Sequence, residues 1–341
     1  MSGIFARIAA VAGYLPAGVL TNRDLAALYP EWSEDKILQK TGIRERRIAG
    51  DGETAADLAT QAAQKLFTRH DVSPDSIDFV ILSTQAPDYI LPTSACLIQH
   101  RLGLKTSSGA LDVNLGCSGY VYGLSLAKGL IESGSARRVL LLTADTYSKY
   151  IHPLDKSVRT LFGDGATATV VEGVEADAAL IGPFVFGTDG AGAENLIVRT
   201  GGARQPRTAQ SAQEKTDSSG NVRSDDNLFM DGPEIMNFTL TTVPKAATQL
   251  MAVAGTTLDT TDLVVLHQAN AYMMEALRKK MHIPREKFVV HLEHCGNTVS
   301  STIPLALEKV LEGNEPNRGQ RKTMLVGFGV GYSWAGTYAT I

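Results

Sequence analysis

The sequence predicts an α/β protein built from two similar halves, and three observations carry that prediction. Short apolar runs of strand composition alternate with amphipathic, helix-like stretches. Two of the runs recur at one fixed offset along the chain. Glycine is plentiful, 32 residues against 13 prolines, which suits tight turns and close helix packing rather than disorder.

The elements follow in order. Thr21-Asn22-Arg23-Asp24 precedes LAALY and reads as a helix cap with an acidic first turn. DLATQAAQKLFTRH reads as a helix, IDFVILST (77–84) as a strand and SACLIQHRLG as a second helix. ALDVNL and RRVLLLTA are strands on either side of a helical GYVYGLSLAKGLIESG. In that helix Gly119, Gly123 and Ala127 recur every four residues, so one face is nearly bare and packs tightly.

DFVILSTQA from Asp78 resembles DLVVLHQAN from Asp262, an offset of 262 − 78 = 184. RRVLLLTADTYS from Arg137 resembles RKTMLVGFGVGYSW from Arg321, and 321 − 137 = 184 again. Apolar strands resemble one another by chance, but agreement in both order and offset favours a duplicated unit, with halves at 1–176 and 177–341. Residues 201–227 are polar and nearly devoid of bulky apolar side chains, and are expected as a long surface loop outside any core.

The 341 residues carry 32 Lys plus Arg and 36 Asp plus Glu, a net charge of −4, which argues against nucleic acid as a partner. No apolar run approaches the ~18–20 residues of a membrane span. The opening MSGIFARIAAVAGYLPAGVL is interrupted by Arg7 and Pro16 and lacks a preceding cationic segment, so a first strand and turn is expected rather than a secretory signal. Three cysteines, an odd number, suit reduced thiols in a cytoplasm.

Of these, Cys117 sits in Asn114-Leu115-Gly116-Cys117-Ser118-Gly119, between a strand and a helix. A thiol at a helix amino end meets partial positive charge that favours a thiolate, and the flanking glycines give a substrate room to approach. The alternative is one more small residue in a crowded helix. Cys96 lies in an apolar helix pattern and is expected as core filler; Cys295 precedes a glycine turn and stays open. His267 ends the strand LVVLH, at the carboxyl edge where α/β proteins build sites, and Gln268 and Asn270 follow it. Asn297 lies in a turn, where Asn also serves local backbone geometry. No metal site is expected, because no CxxC or HExxH spacing occurs and the adjacent His294 and Cys295 converge poorly on one ion. Gly327-Phe328-Gly329-Val330-Gly331 is not a GxGxxG, no GxxxxGK[ST] exists, and Gly163-Asp164-Gly165 and Asp231-Gly232 read as turns.

Taken together, Thr41-Gly42-Ile43-Arg44-Glu45-Arg46, the Cys117 turn, Phe162-Gly163-Asp164-Gly165-Ala166, His267-Gln268-Ala269-Asn270, Gly296-Asn297-Thr298 and Gly327–Gly331 resemble the β-ketoacyl-acyl-carrier-protein synthase III family of the thiolase superfamily. His267 lies 150 residues after Cys117 and Asn297 a further 30, and the six motifs stand in register over essentially the whole chain. The resemblance implies a thiolase-like five-layered αβαβα fold of two halves with mixed sheets around buried central helices, and a homodimer. It implies that Cys117 attacks an acyl-CoA thioester, that backbone N–H groups of Cys117 and Val330 hold the oxyanion, and that His267 and Asn297 stabilise the enolate of a decarboxylating malonyl thioester. It implies coenzyme A thioesters as substrates without a resident cofactor, bound by Lys40, Leu91, Lys156, Leu161, Gly232, Ala269 and Asn270. It also implies an acyl carrier protein docking on Arg278, Lys279 and Lys280.

The sequence departs from the family pattern at several of these places. The tryptophan expected five residues before the Thr41 motif is Lys36, with Trp32 four residues too early. Lys40 and Lys156 stand where arginines are usual, keeping charge but losing the planar fork. Val330 replaces a glycine, and Leu91 stands where a partner-subunit residue limits acyl length. Tyr272 and Asn237 replace basic residues of the carrier patch. These changes suggest a specialised paralogue rather than the housekeeping initiator of fatty-acid biosynthesis. Two alternatives remain at this point: passage of the acyl group from Cys117 to a hydroxyl or amine acceptor without decarboxylation, and a catalytically silent subunit of a condensing complex.

Overall fold

The computed structural model describes residues 3–312 and 319–341. β1 (Gly3–Tyr14) opens the chain, and β2 (Gly18–Thr21) pairs with β3 (Glu45–Ile48) around α1 (Asn22–Leu28) and α2 (Glu34–Thr41). α1 begins where the sequence places it. The Thr21 hydroxyl accepts from the Asp24 N–H at 3.2 Å, and the Asp24 carboxylate accepts from the Thr21 N–H at 2.9 Å. The predicted alternation follows as α3 (Ala55–His70), β4 (Phe79–Ser83), α4 (Ser94–Arg101), β5 (Gly109–Val113), α5 (Gly119–Glu132) and β6 (Arg138–Asp145). After the short α6 (Lys156–Arg159) come β7 (Gly165–Ala176) and β8 (Ile181–Thr188). Small strands β9 (Leu196–Val198), β10 (Lys215–Thr216), β11 (Val222–Arg223) and β12 (Leu228–Met230) lead to α7 (Gly232–Val253). The chain ends on β13 (Leu263–Leu266), α8 (Ala271–Lys280), α9 (Thr302–Glu312), β14 (Lys322–Gly329) and β15 (Ser333–Thr340).

Two mixed sheets result, ordered β1-β7-β6-β4-β5 and β13-β14-β15-β8. The 184-residue offset reappears as register. Phe79 stands beside Val139 and Leu263 beside Thr323, with 263 − 79 = 184 and 323 − 139 = 184. Both pairs are parallel, and each sheet continues through an antiparallel neighbour, β7 or β15. The second sheet lacks a full counterpart of β5: Val80 pairs with Ala110 inside a ladder, whereas Val264 meets Phe288 in a single bridge.

Five layers form because the sheets bury both faces. α3 and α4 cover the outer face of the first sheet, α7 and α8 that of the second, and α5 and α9 lie between. The central core joins Val121, Leu124 and Ile131 of α5, Ile303 and Leu307 of α9, Ile81 and Leu141 of one sheet, and Val265 and Leu325 of the other. Burying each such side chain contributes about 1.5–3 kcal/mol. The bare face of α5 is needed for this. A Cβ on Gly119 would lie 2.0 Å from the Ser83 hydroxyl oxygen, and one on Gly123 would lie 2.5 Å from a Leu141 methyl.

Two expectations are overturned. Cys96 is exposed, because α4 buries Ser94, Ala95 and Ile98 and turns Cys96 outward beside the Thr93 hydroxyl. Residues 201–227 are not a plain surface excursion. They contain the β10–β11 pair and bury Ser211, Asn221 and Ser224. The segment is anchored by Arg223, whose guanidinium bridges the buried Asp155 at 2.6 Å and Asp217 at 2.8 Å. Polar side chains thus supply the order that apolar ones do not. Among the described residues, no helix is long and apolar enough to cross a membrane.

Candidate active site

Cys117 lies in the turn from β5 into α5, 5% exposed, with the β14 end laid against it. A Cβ on Gly327 would come within 2.7 Å of the Cys117 carbonyl oxygen, and one on Gly329 within 2.9 Å of Cys117 Sγ. Glycine at 327 and 329 therefore permits this approach, which a side chain would block. It brings the Val330 N–H, together with that of Cys117 itself, onto the sulfur. Position 330 offers its backbone N–H to Sγ, and its side chain packs against the apolar cluster that includes Cys117 and Val299. The Ser118 and Ser333 hydroxyls, 2.8 Å apart, tie the turn to β15.

Burial, with the charge of Asp145, pushes the Cys117 thiol up to about 12 against the pull of those two N–H groups. The thiolate expected from the helix terminus is thus not the resting form. At this depth desolvation outweighs the two N–H groups on the sulfur. Asp145 is itself raised to about 7 by burial, opposed by Ser300 and the Gln85 N–H that bond it.

His267 follows β13 and keeps its strand pairing, its N–H donating to the Val326 carbonyl at 2.9 Å. Its Nδ1 stands 2.7 Å from Thr302 Oγ1, and its ring packs edge-on against Phe328. Burial lowers it to about 3, so the imidazole is neutral. Asn297 is held by backbone on both sides: its N–H donates to Leu161 O at 2.9 Å and its carbonyl accepts from Gly163 N–H at 3.0 Å. Its Oδ1 accepts from the Val299 N–H at 3.0 Å, which leaves Nδ2 as the polar hydrogens available to a ligand. A neutral imidazole and a carboxamide can both donate to a carbonyl oxygen that gains charge.

Cys117, His267 and Asn297 line one cavity of about 280 Å³. Lys40, Leu161, Gly232, Ala269 and Asn270 line it as well, as the sequence reading expected, and Asn270 also caps α8 by accepting from the Met273 N–H. Two expected binding residues do not. Lys156 turns to Glu31 at 2.6 Å and the Ser219 carbonyl at 2.7 Å, so its charge is already partnered beside the cavity-lining Ser157. Leu91 stands 79% exposed beside Tyr89 and Ile90, away from the cavity of its own chain. Gln268 is structural, donating to Leu266 O and accepting from the His291 N–H. Arg278 is engaged by Glu275 and the Ile283 carbonyl, while Lys279 and Lys280 are exposed. Among the described residues no cluster of His, Cys, Asp and Glu suited to a metal occurs.

Trp32 was missed by counting from the Thr41 motif. It lines the cavity with Lys40, and the ammonium groups of Lys36 and Lys40 each lie 5.4 Å from its ring centroid. The detectable signal was a tryptophan next to a helix cap, Ser33, at a site mouth.

Known proteins resemble this chain along most of its length. Residues 111–190 match the family described as 3-Oxoacyl-[acyl-carrier-protein (ACP)] synthase III, and residues 251–341 match its C-terminal part. The β-ketoacyl-[acyl-carrier-protein] synthase III of Chlamydia caviae is 37% identical over 329 residues, covering 96% of this chain and 95% of that protein. That of Caldanaerobacter subterraneus subsp. tengcongensis is 33% identical over 332 residues, covering 97% and 96%. The chain belongs to the β-ketoacyl-[acyl-carrier-protein] synthase III family.

Solved structures bear the fold out. A crystal structure of a 3-oxoacyl-(acyl-carrier-protein) synthase III is 64% identical, with a TM-score of 0.97 over 99% of this chain and 100% of that one. The Burkholderia xenovorans 3-oxoacyl-(acyl-carrier protein) synthase is 37% identical, with a TM-score of 0.88 over 100% and 95%. Xanthomonas campestris OleA, 18% identical with a TM-score of 0.82 over 99% of each chain, shares the fold. Synthase III proteins are thus thiolase-like condensing enzymes to which this chain is similar throughout its length.

Proposed function

We propose that this enzyme loads an acyl group from acyl-CoA onto Cys117 and condenses it with a malonyl thioester, releasing carbon dioxide and a 3-oxoacyl thioester. The observation that carries the proposal is the convergence of a thiol, a neutral imidazole and a carboxamide on one buried cavity, with two backbone N–H groups on the sulfur.

In the loading step Cys117 Sγ attacks the thioester carbonyl, and its developing oxyanion lies between the Cys117 and Val330 N–H groups. The thiol proton ends on the departing coenzyme A sulfur. The malonyl thioester then enters with its carbonyl oxygen towards His267 and Asn297. Loss of carbon dioxide leaves an enolate that both donors stabilise; its carbon attacks the acyl-Cys117 carbonyl, and Sγ leaves and is reprotonated. No resident cofactor is required. Decarboxylation makes the carbanion, so His267 serves as a neutral donor and needs no positive charge, which suits its burial.

Trp32 and Lys40, with Leu161, Gly232, Ala269 and Asn270 deeper in, form the channel for the coenzyme A and pantetheine chain. Lys156, through Glu31, orders the mouth rather than gripping phosphate. The exposed Tyr89-Ile90-Leu91 segment supports a homodimer in which Leu91 reaches the acyl end of the partner's site. Exposed Lys279 and Lys280, at the carboxyl end of the α8 helix whose Met273 lines the cavity, suit an acidic acyl carrier protein as malonyl donor. A cytoplasmic setting fits the three unpaired cysteines. Intact mass spectrometry after mixing with acetyl-, longer acyl- and aryl-CoA is expected to show an acyl increment that Cys117→Ala abolishes. Product formed from a malonyl donor without carbon dioxide would replace this reading with simple acyl transfer.

A further inference from the structure

Thr239 lies two turns into α7, on the face that borders the cavity, and is wholly buried. Gly232, Ile235 and Met236 precede it along the same wall and are only part-buried, so Thr239 is the deepest contribution of α7 to the site. Its Oγ1 has no hydrogen-bond partner among the described residues. The other hydroxyls of the cavity wall are engaged. Thr41 donates to the Ile37 carbonyl and Thr160 to the Lys156 carbonyl, each at 2.8 Å, and Ser157 donates to the Asp155 carboxylate. A helical threonine commonly bonds the carbonyl four residues back. Thr248 of this same helix does so, donating to the Pro244 carbonyl at 3.0 Å, and Thr239 does not. Among the described residues, no other buried polar atom without a partner lines this cavity.

A buried hydroxyl left unpaired destabilises the free protein, and a ligand that pairs with it gains by the same amount. The pantetheine arm is apolar between its ends apart from its amides. An amide drawn from water into the apolar wall of Ile235 and Met236 loses affinity unless it finds a partner there. A hydroxyl donates or accepts, and an amide offers both an N–H and a carbonyl. The thioester carbonyl already has its donors in the proposed reaction, so the next polar group up the arm is the nearest amide. We infer that Thr239 is a substrate-binding residue whose hydroxyl pairs with the pantetheine amide nearest the thioester. Met236, three residues back on the same face, is the unbranched side chain that turns aside to admit it. Acyl and malonyl donors carry the same arm, so Thr239 serves both half-reactions without touching the reacting atoms.

This inference rests on the channel assigned above, and its test has two arms. Calorimetry gives the Kd of coenzyme A, which carries the arm, and of adenosine bisphosphate, which lacks it, for wild type, Thr239→Val and Thr239→Ser. Thr239→Val is expected to weaken coenzyme A about tenfold, the cost of one amide left unpaired, and to leave adenosine bisphosphate unchanged. Thr239→Ser is expected to keep the wild-type affinity. Acylation of Cys117, followed by intact mass, uses acetyl-N-acetylcysteamine, which keeps only the nearest amide, and S-ethyl thioacetate, which has none. Thr239→Val is expected to slow the first about tenfold and the second not at all. It is also expected to melt no lower than wild type, because no bond within the protein is lost. Equal coenzyme A affinity in wild type and Thr239→Val, equal losses for both ligands or both thioesters, a Thr239→Ser protein as weak as Thr239→Val, a lower melting temperature in Thr239→Val, or no coenzyme A binding by wild type each overturns the inference. Calorimetry needs no acyl transfer. Absence of an acyl adduct on Cys117 therefore removes the functional reading alone, whereas an unchanged coenzyme A affinity removes this inference alone.

Discussion

Replacing Asn297 by alanine separates two quantities that the structure predicts independently. The carboxamide supplies one of two side-chain donors for the enolate, and removing one donor of this kind costs about 2.7–4 kcal/mol of transition-state stabilisation, or ~10²–10³-fold in rate. The same change orphans the buried Val299 N–H, which donates to Asn297 Oδ1 at 3.0 Å. An unsatisfied buried donor costs about 1–3 kcal/mol of stability. Asn297 keeps its backbone bonds to Leu161 and Gly163, so the turn survives and the protein folds with a melting temperature lower by a few degrees. The two half-reactions should split, because the loading oxyanion faces the Cys117 and Val330 N–H groups instead. Stopped-flow acylation from acyl-CoA is expected to proceed at close to the wild-type rate. Carbon dioxide release from a malonyl thioester, measured on the acylated variant, is expected to fall ~10²–10³-fold. Equal losses in both steps, or undiminished decarboxylation, would refute the division of labour between the two donor sets.

Further outcomes follow from the same geometry. The Cys117 thiol, raised to about 12 by burial and by Asp145, is protonated at neutral pH, so its alkylation by iodoacetamide should rise about tenfold per pH unit from 7 to 10; a plateau below pH 9 would contradict this. Because the folded value exceeds the ordinary thiol value, the associated stability is present below that ordinary value and lost as pH rises through about 12. His267, lowered to about 3, should give decarboxylation no falling limb between about pH 5 and 7; a limb near the ordinary histidine value would show that the ring titrates. Gly329→Ala places a Cβ 2.9 Å from Cys117 Sγ and should abolish acylation, read by intact mass, and wild-type loading would refute the close approach. Leu91→Asp puts charge into the exposed apolar segment and should shift the proposed homodimer to monomer by light scattering, whereas an unchanged dimer mass would remove that segment from the interface.

Much of the architecture was legible because buried strands advertise themselves as apolar runs. The 184-residue repeat became an identical register in both sheets, since pairing of strands buried on two faces is set by which side chains fill the layers. Cys117, His267 and Asn297 were legible as short polar signals at strand ends and turns, and the fold gathers them on one cavity. What could not be read depends on local direction or on partners distant in sequence. Trp32 reaches the cavity because the chain turns at Ser33, which counting back from Thr41 does not reveal. Cys96 points outward although its neighbours are apolar, since only three positions of α4 face the core. The order of 201–227 comes from Arg223 meeting Asp155, 68 residues earlier. Val299 hides best: a valine in the left-handed region contradicts every local preference, and only Ser300 and Ser301, anchored on β6 and β7, make it tenable.

In the proposed reaction one sulfur carries the acyl group while two donors on the facing half drive decarboxylation onto it. Isolated acyl-Cys117 enzyme, mixed with one equivalent of a malonyl thioester labelled in its free carboxyl carbon, tests both parts at once. One labelled carbon dioxide is expected for each acyl group lost from Cys117, with the 3-oxoacyl thioester formed in equal amount. Loss of the acyl group without labelled carbon dioxide, or release of carbon dioxide with Cys117 still acylated, would contradict it.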